Sequence, residues 1–172
     1  MSRSVGLRGA GAYLDGVADP ELRTILCPVD FSLGAEEALR YALFLARTHG
    51  AKVRVLHVDD FASFGVPGEA GLVEERHARL GEQLRELVNR HRGGVDIEAR
   101  LQSGIPYEAI VEASHDPEVD MIVLGTHGRT GLKRLLVGSV AERVVRTAHV
   151  PVVTVRHPEY ASVAKSPGAP IR

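Results

Sequence analysis

The spacing of apolar positions changes repeatedly along this chain. Residues 24–29 (TILCPV) form a short, mostly apolar run. From 35 to 46, Ala35, Ala38, Leu39, Ala42, Leu43 and Ala46 recur at three- and four-residue spacing, which lines one face of a helix. Gly50 stands where a C-cap glycine ends such a helix. Residues 52–58 (KVRVLHV) are rich in β-branched side chains, and a longer helix is expected over about 72–90, with Glu and Arg on its outer face. Residues 95–101 (VDIEARL) alternate strictly, which puts Val95, Ile97, Ala99 and Leu101 on one side. A third helix over 105–114, an apolar strand over 119–124 (VDMIVL), a fourth helix over 139–148 and a fifth strand over 150–155 complete the pattern.

Strand and helix in alternation specify an α/β fold with a parallel sheet. Parallel strands covered on both faces read as continuous apolar runs, whereas edge strands alternate. By that test 24–29 and 119–124 are central and 95–101 lies at an edge. A single doubly wound five-stranded parallel sheet, order 3-2-1-4-5 with helices on both faces, satisfies these placements and the right-handed crossover rule. Ligands of such Rossmann-like sheets sit beyond the carboxyl ends of the strands, where the strand order reverses. The expected site therefore involves residues just after Val29 and just after Leu124.

Composition narrows the function. At 172 residues, 44% hydrophobic and 25% charged, the chain suits one ordinary globular domain. Its 21 basic and 22 acidic residues leave a net charge of −1, without the basic excess of a nucleic-acid binder. No apolar run approaches a membrane span. The single Cys27 excludes an intramolecular disulfide and a CxxC zinc site, and a reduced, cytoplasmic setting is expected. Residues 1–21 hold glycines and arginines but no apolar signal core, and read as a flexible leader; Asp15 and Asp19 oppose a transit peptide. Residues 157–172 carry three prolines and no periodicity, and read as a disordered tail around a domain of 22–156.

The expected site carries the informative residues. After Leu124, glycines fall at Gly125, Gly128 and Gly131, and Gly138 precedes the helix that begins at Ser139. Glycines after a parallel strand allow close backbone approach to a ligand, and the following helix start offers unpaired N–H groups to an anion. Arg129, Lys133 and Arg134 add positive charge. A second reading needs no ligand: Ser139 with Glu142 three residues on spells a capping box, and basic loop residues are commonly just solvated. The segment is neither a Walker loop nor a GxGxxG fingerprint. Asp30, after the first strand, is placed to accept from ribose hydroxyls or to cap the next helix, and Pro28 fits only near a strand end.

The spacing G125-x2-G128-x9-G138-S139, with ILCPVDFS, VLHV, MIVLGTHGRTGLKRLLVGSVAERVV and HVPVVTVR around it, resembles the ATP-binding subclass of the universal stress protein family over about residues 22–156. The resemblance implies an adenine nucleotide alpha hydrolase-like fold of 3-2-1-4-5 type and a role as a nucleotide-responsive stress or signalling factor. It implies that Asp30 contacts the ribose, with Pro28 and Val29 beside it, and that Val58 and Leu124 border adenine. Gly125, Thr126, His127, Gly128, Arg129, Thr130 and Gly131 are then expected around the ribose and phosphates, with Gly138, Ser139, Val140 and Ala141 completing the phosphate cradle. ATP is the expected ligand, with Mg2+ or Mn2+ as a possible bridge between its phosphates. The chain departs from the compact family pattern at both ends.

No dedicated catalytic base is evident. His127 is read as a backbone-anchoring partner, and the other histidines lack metal-ligand spacing. Binding without efficient chemistry is expected. The alternatives are slow ATP hydrolysis or autophosphorylation, and a nucleotide-free adaptor acting through a dimer surface. The last strand would be a sheet edge, and edges invite pairing. The family's habit of pairing there implies a homodimer through residues 151–156, although Pro151 equally suits a blunted monomer edge. No nucleic-acid or membrane partner is expected, and the downstream protein partner is not specified by the sequence.

Overall fold

The computed structural model describes residues 21–60, 70–91, 93–126 and 138–158. Along them run β1 (Thr24–Pro28), α1 (Leu33–His49), β2 (Lys52–Asp59), α2 (Ala70–His91), β3 (Ile97–Ser103), α3 (Pro106–Ala113), β4 (Met121–Gly125), α4 (Ser139–Thr147) and β5 (Val152–Val155). The strands form one parallel sheet in the order β3-β2-β1-β4-β5, as the apolar pattern requires. Residues 1–20 of the leader, 159–172 of the tail and the segment 127–137 lie outside the described residues.

Strand alternation divides the core into two layers. Ile25, Cys27, Val53, Val55 and Val123 face α1 and α2, where Ala38, Leu39, Ala42, Leu43, Leu84, Leu87 and Val88 close over them. Leu26, Leu56, Val58, Ile122 and Leu124 point the other way, toward Ala109 and Ile110 of α3 and Ala141 and Val144 of α4. Each fully buried aliphatic side chain contributes roughly 1.5–3 kcal/mol by leaving water. Cys27 belongs to the first layer, and burial pushes its thiol up to about 12, so it stays protonated. Helix α1 ends as its glycine foretold: Gly50 adopts φ 70 and its N–H bonds the Ala46 carbonyl.

The edge strand differs from the expectation. β3 starts at Ile97, because the backbone still bends through Gly94, whose φ is 73. Val95 nevertheless packs against the core with Ile97 and Leu101, while Ala99 is exposed.

Charged groups staple the amino edge of the sheet, opposite the strand ends expected to bind a ligand. Arg54, with its side chain only 3% exposed, reaches Glu98 at 2.9 Å and Asp116 at 2.7 Å. Asp120 joins β4 to β1 by accepting from the backbone N–H groups of Arg23 (2.8 Å) and Thr24 (3.0 Å) and from the Arg23 guanidinium. Partial burial opposes the Asp120 charge, yet those donors outweigh it and hold the carboxyl below its ordinary range. Among the described residues, no helix is long and apolar enough to cross a membrane.

A carboxyl whose folded pKa is lowered adds stability above its unfolded value, and that stability disappears as pH falls through the folded value. Asp120→Asn should therefore lower urea-unfolding stability at neutral pH by about 1 kcal/mol. The difference from the parent protein should shrink as pH falls from about 4, the ordinary carboxyl value, through the lower value at which the folded carboxylate protonates.

Candidate functional site

The site begins where two neighbouring strands part. β1 and β4 share register only at Ile25↔Met121 and Leu26↔Ile122. Successive strand N–H groups point to opposite sides, and the N–H of Val29 bonds the Leu56 carbonyl of β2 at 2.8 Å. Position 28 therefore faces β4, and proline has no N–H to offer there. Beyond this point a cavity of about 460 Å³ opens at the carboxyl edge, on the α3 and α4 side.

Every sequence-predicted site residue within the described chain lines this cavity. Pro28, Val29 and Asp30 come from the end of β1, Val58 from β2, Leu124, Gly125 and Thr126 from the end of β4, and Gly138, Ser139, Val140 and Ala141 from the start of α4. His127, Gly128, Arg129, Thr130 and Gly131 lie outside the described residues, as do Lys133 and Arg134. Thr126 and Gly138 flank that segment and are themselves joined, Gly138 N–H donating to the Thr126 carbonyl at 2.6 Å. Thr126 in turn donates to the Val155 carbonyl of β5 at 2.9 Å. Both ends of the basic segment are thus fixed at the cavity.

Ala35, Leu56, Asp60, Pro106 and Ile110 also line the cavity and were not among the sequence candidates. Leu56 was within reach of sequence reasoning, since it lies two residues before Val58 and shares its face. Pro106 and Ile110 carry only a helical apolar signal, which does not reveal which end of α3 meets the site. Leu56, Val58, Ile110, Val29 and Leu124 together give the cavity an apolar strip suited to a planar ring.

Asp30 is held by its neighbours. Its Oδ1 accepts from the Ser32 N–H at 3.1 Å and from the Ser32 hydroxyl at 2.6 Å. Ser32 is the N-cap of α1, its Oγ accepting from the Ala35 N–H at 3.2 Å. The helix-capping alternative for Asp30 thus passes to Ser32, with Asp30 orienting the cap. Between them Phe31 adopts φ 64, a left-handed conformation that costs a non-glycine residue roughly 1–2 kcal/mol.

The start of α4 corrects the capping-box reading. Gly138, in extended conformation, is the N-cap, and Ser139 is already helical with no side-chain cap bond. Glu142 turns instead to Arg146, one helical turn on, at 2.9 Å. The helix starts one residue earlier than the box needs, because Gly138 supplies the carbonyl that receives the first helical bond, from Glu142 N–H at 2.9 Å. The N–H groups of Ser139, Val140 and Ala141 are therefore left without intrahelical acceptors, at the positive end of the helix dipole.

Gly125 is required for packing as well. A Cβ there would lie 2.7 Å from the Gly34 carbonyl oxygen and 2.8 Å from its carbon, so β4 meets the first turn of α1 backbone to backbone. Among the described lining residues Asp30 and Asp60 are the ionisable ones, and both are acidic. No group of three or more potential metal ligands occurs among the described residues.

Comparison with known proteins agrees with the fold. Residues 21–156 match the model of the Universal stress protein family. The chain is similar to universal stress protein MJ0531 of Methanocaldococcus jannaschii, 37% identical over 142 residues, covering 80% of this chain and 84% of that one. It is also similar to the solved structure of MJ0577 from the same organism, with TM-score 0.64 at 33% identity, covering 80% of this chain and 98% of that one. A universal stress protein solved in complex with cAMP matches with TM-score 0.62 at 27% identity, again covering 80% and 98%.

The close approach at Gly125 generates a prediction. Gly125→Ala forces backbone against backbone and should lower stability by about 1–3 kcal/mol, the usual range for overpacking. Urea denaturation measures this directly, and an unchanged midpoint would refute the contact.

Proposed function

Since this chain belongs to the universal stress protein family, we propose that it binds ATP in the cavity between β1 and β4 and acts as a nucleotide-responsive stress or signalling factor. The observation that carries this reading is the convergence of every described signature residue on one cavity at the parting of two central strands. The cAMP complex of a similar protein supports an adenine nucleotide as the ligand class.

In this reading Asp30, oriented by Ser32, accepts from ribose hydroxyls. Val58 and Leu124, with Leu56 and Ile110, sandwich the adenine. Gly125 and Thr126 lead toward the phosphates, which meet the N–H groups of Ser139, Val140 and Ala141 and the glycine-rich stretch from His127 to Gly131. Helix N-terminal groups stabilise an anion by roughly 0.3–1 kcal/mol when exposed, so the basic side chains Arg129, Lys133 and Arg134 are assigned the larger part of the phosphate attraction. A divalent ion, Mg2+ or Mn2+, would be held chiefly by the phosphates, and its charge would offset Asp30 and Asp60. Phosphoryl transfer needs a base or water-orienting group in line with the γ-phosphate. Asp30 is committed to the ribose, and the reading is therefore of binding without efficient turnover in a cytoplasmic protein. The nucleotide unit is assigned to residues 22–156.

We also assign a homodimer to the β5 edge. Among the described residues β5 pairs with β4 alone, and Val152, Val153 and Val155 are only half-buried along it. An unpaired strand of this kind is a template for a second copy.

Three measurements test these assignments. Acid extraction of freshly purified protein should release adenine nucleotide, and calorimetry of the emptied protein with Mg-ATP should show saturable heat. Asp30→Ala should weaken ATP binding by about tenfold, the loss of one charge-assisted hydrogen bond. Absence of heat at millimolar ATP would reject the reading. Light scattering should give twice the mass of one chain, and a Val153→Lys variant should return the mass of one.

A further inference from the structure

Phe31 and His57 are not among the residues that line the cavity, yet they fix the two neighbours of the residue that the proposed function assigns to the ribose. His57 is almost fully buried in β2, 1% exposed, on the sheet face opposite the cavity. Its Nδ1 lies 2.7 Å from the Val29 carbonyl oxygen. A carbonyl only accepts, so Nδ1 carries a proton and donates. The Val29 N–H is already committed to the Leu56 carbonyl at 2.8 Å. Both peptide groups of the residue before Asp30 are thereby tied to β2.

The residue after Asp30 is fixed from the same side. The Phe31 ring packs on the His57 imidazole, with centroids 4.4 Å apart and planes inclined by 44°. Its φ of 64 is a backbone conformation that a side chain normally avoids. That turn folds the Ser32 N–H and hydroxyl back onto Asp30 Oδ1. A strained non-glycine conformation persists only where its surroundings over-determine it, and such strain gathers at ligand-binding positions.

The geometry points to Phe31 and His57 as positioning residues that hold the Asp30 carboxylate in its ribose-binding orientation from behind the sheet. The inference rests on the ATP-binding reading and deepens it. It says that recognition of the ribose hydroxyls depends on a ring contact the nucleotide never touches. Glycine would accept the same φ without strain, so Phe31→Gly removes the ring while leaving the turn sterically permitted.

The experiment compares calorimetric affinities for ATP and 2′,3′-dideoxy-ATP in the parent protein, Phe31→Gly, Phe31→Tyr and His57→Asn, with urea unfolding to confirm that each is folded. The parent should prefer ATP by about tenfold or more, the size of a hydrogen bond to a charged group. Phe31→Gly should lose most of that preference through weaker ATP binding, with dideoxy-ATP binding changed little. Phe31→Tyr keeps the ring and should keep the preference. His57→Asn retains an amide donor near the place of Nδ1 but not the ring, and should fall between them. A merely structural role would weaken both nucleotides alike, and an unchanged ratio in folded Phe31→Gly would overturn the positioning role while leaving ATP binding intact. A parent protein that binds neither nucleotide would overturn the ATP-binding reading and the inference with it.

Discussion

The arrangement of the molecule depends on the early parting of β1 and β4. A parallel ladder continues only while both strands supply donors and acceptors in register, and here register is kept at Leu26↔Ile122 and then abandoned. Position 28 has no hydrogen to give on the β4 side, and the chain leaves β1 for one face of the sheet and β4 for the other. What would have been continued ladder becomes the floor of a cavity. The apolar layer containing Leu56, Val58, Ile122 and Leu124 supplies that floor without any special residue, because core and cavity are one surface at different depths.

The walls are equally constrained. Gly125 lies against the Gly34 backbone, which brings the end of β4 as near to α1 as two chains can approach. Ser32 ties the start of α1 to Asp30, and the Thr126–Gly138 bond ties the end of β4 to the start of α4. Each of these groups is anchored to regular structure. A ligand that fits this rim would meet groups already in place, and preorganisation of that kind reduces the ordering cost of binding.

How much of this was legible beforehand varied with the kind of signal. Strand order could be read because β1 and β4 are apolar throughout while β3 alternates, a difference that burial on two faces or one enforces. The position of the site followed from the order, and the glycines and Asp30 then marked its rim. The start of β3 was misread because Val95 packs inward from a bend, so alternation ran past the end of hydrogen bonding. Ser139 and Glu142 have the spacing of a capping box, but spacing cannot say which residue is the cap, and Gly138 holds that place. Asp60 carried no signal at all and Pro106 only that of a helix, since their place at the cavity depends on where β2 ends and α3 begins in space. The turn at Phe31 was equally hidden: nothing in the string DFS announces a left-handed phenylalanine, and only its ring partner across the sheet, His57, makes it intelligible.

The single thiol has a different kind of consequence. Cys27 lies in the middle strand one residue before Pro28 at the cavity edge, on the sheet face toward α1, buried and protonated. It is thus a silent native reporter of how often the centre of the sheet opens. Alkylating reagents can reach it only in molecules whose core has come apart, so the labelling rate tracks the population of that open form. Anything that binds the closed form shrinks that population in proportion to its concentration over its dissociation constant. The chain therefore carries its own gauge of occupancy, readable without a chromophore and without altering a residue.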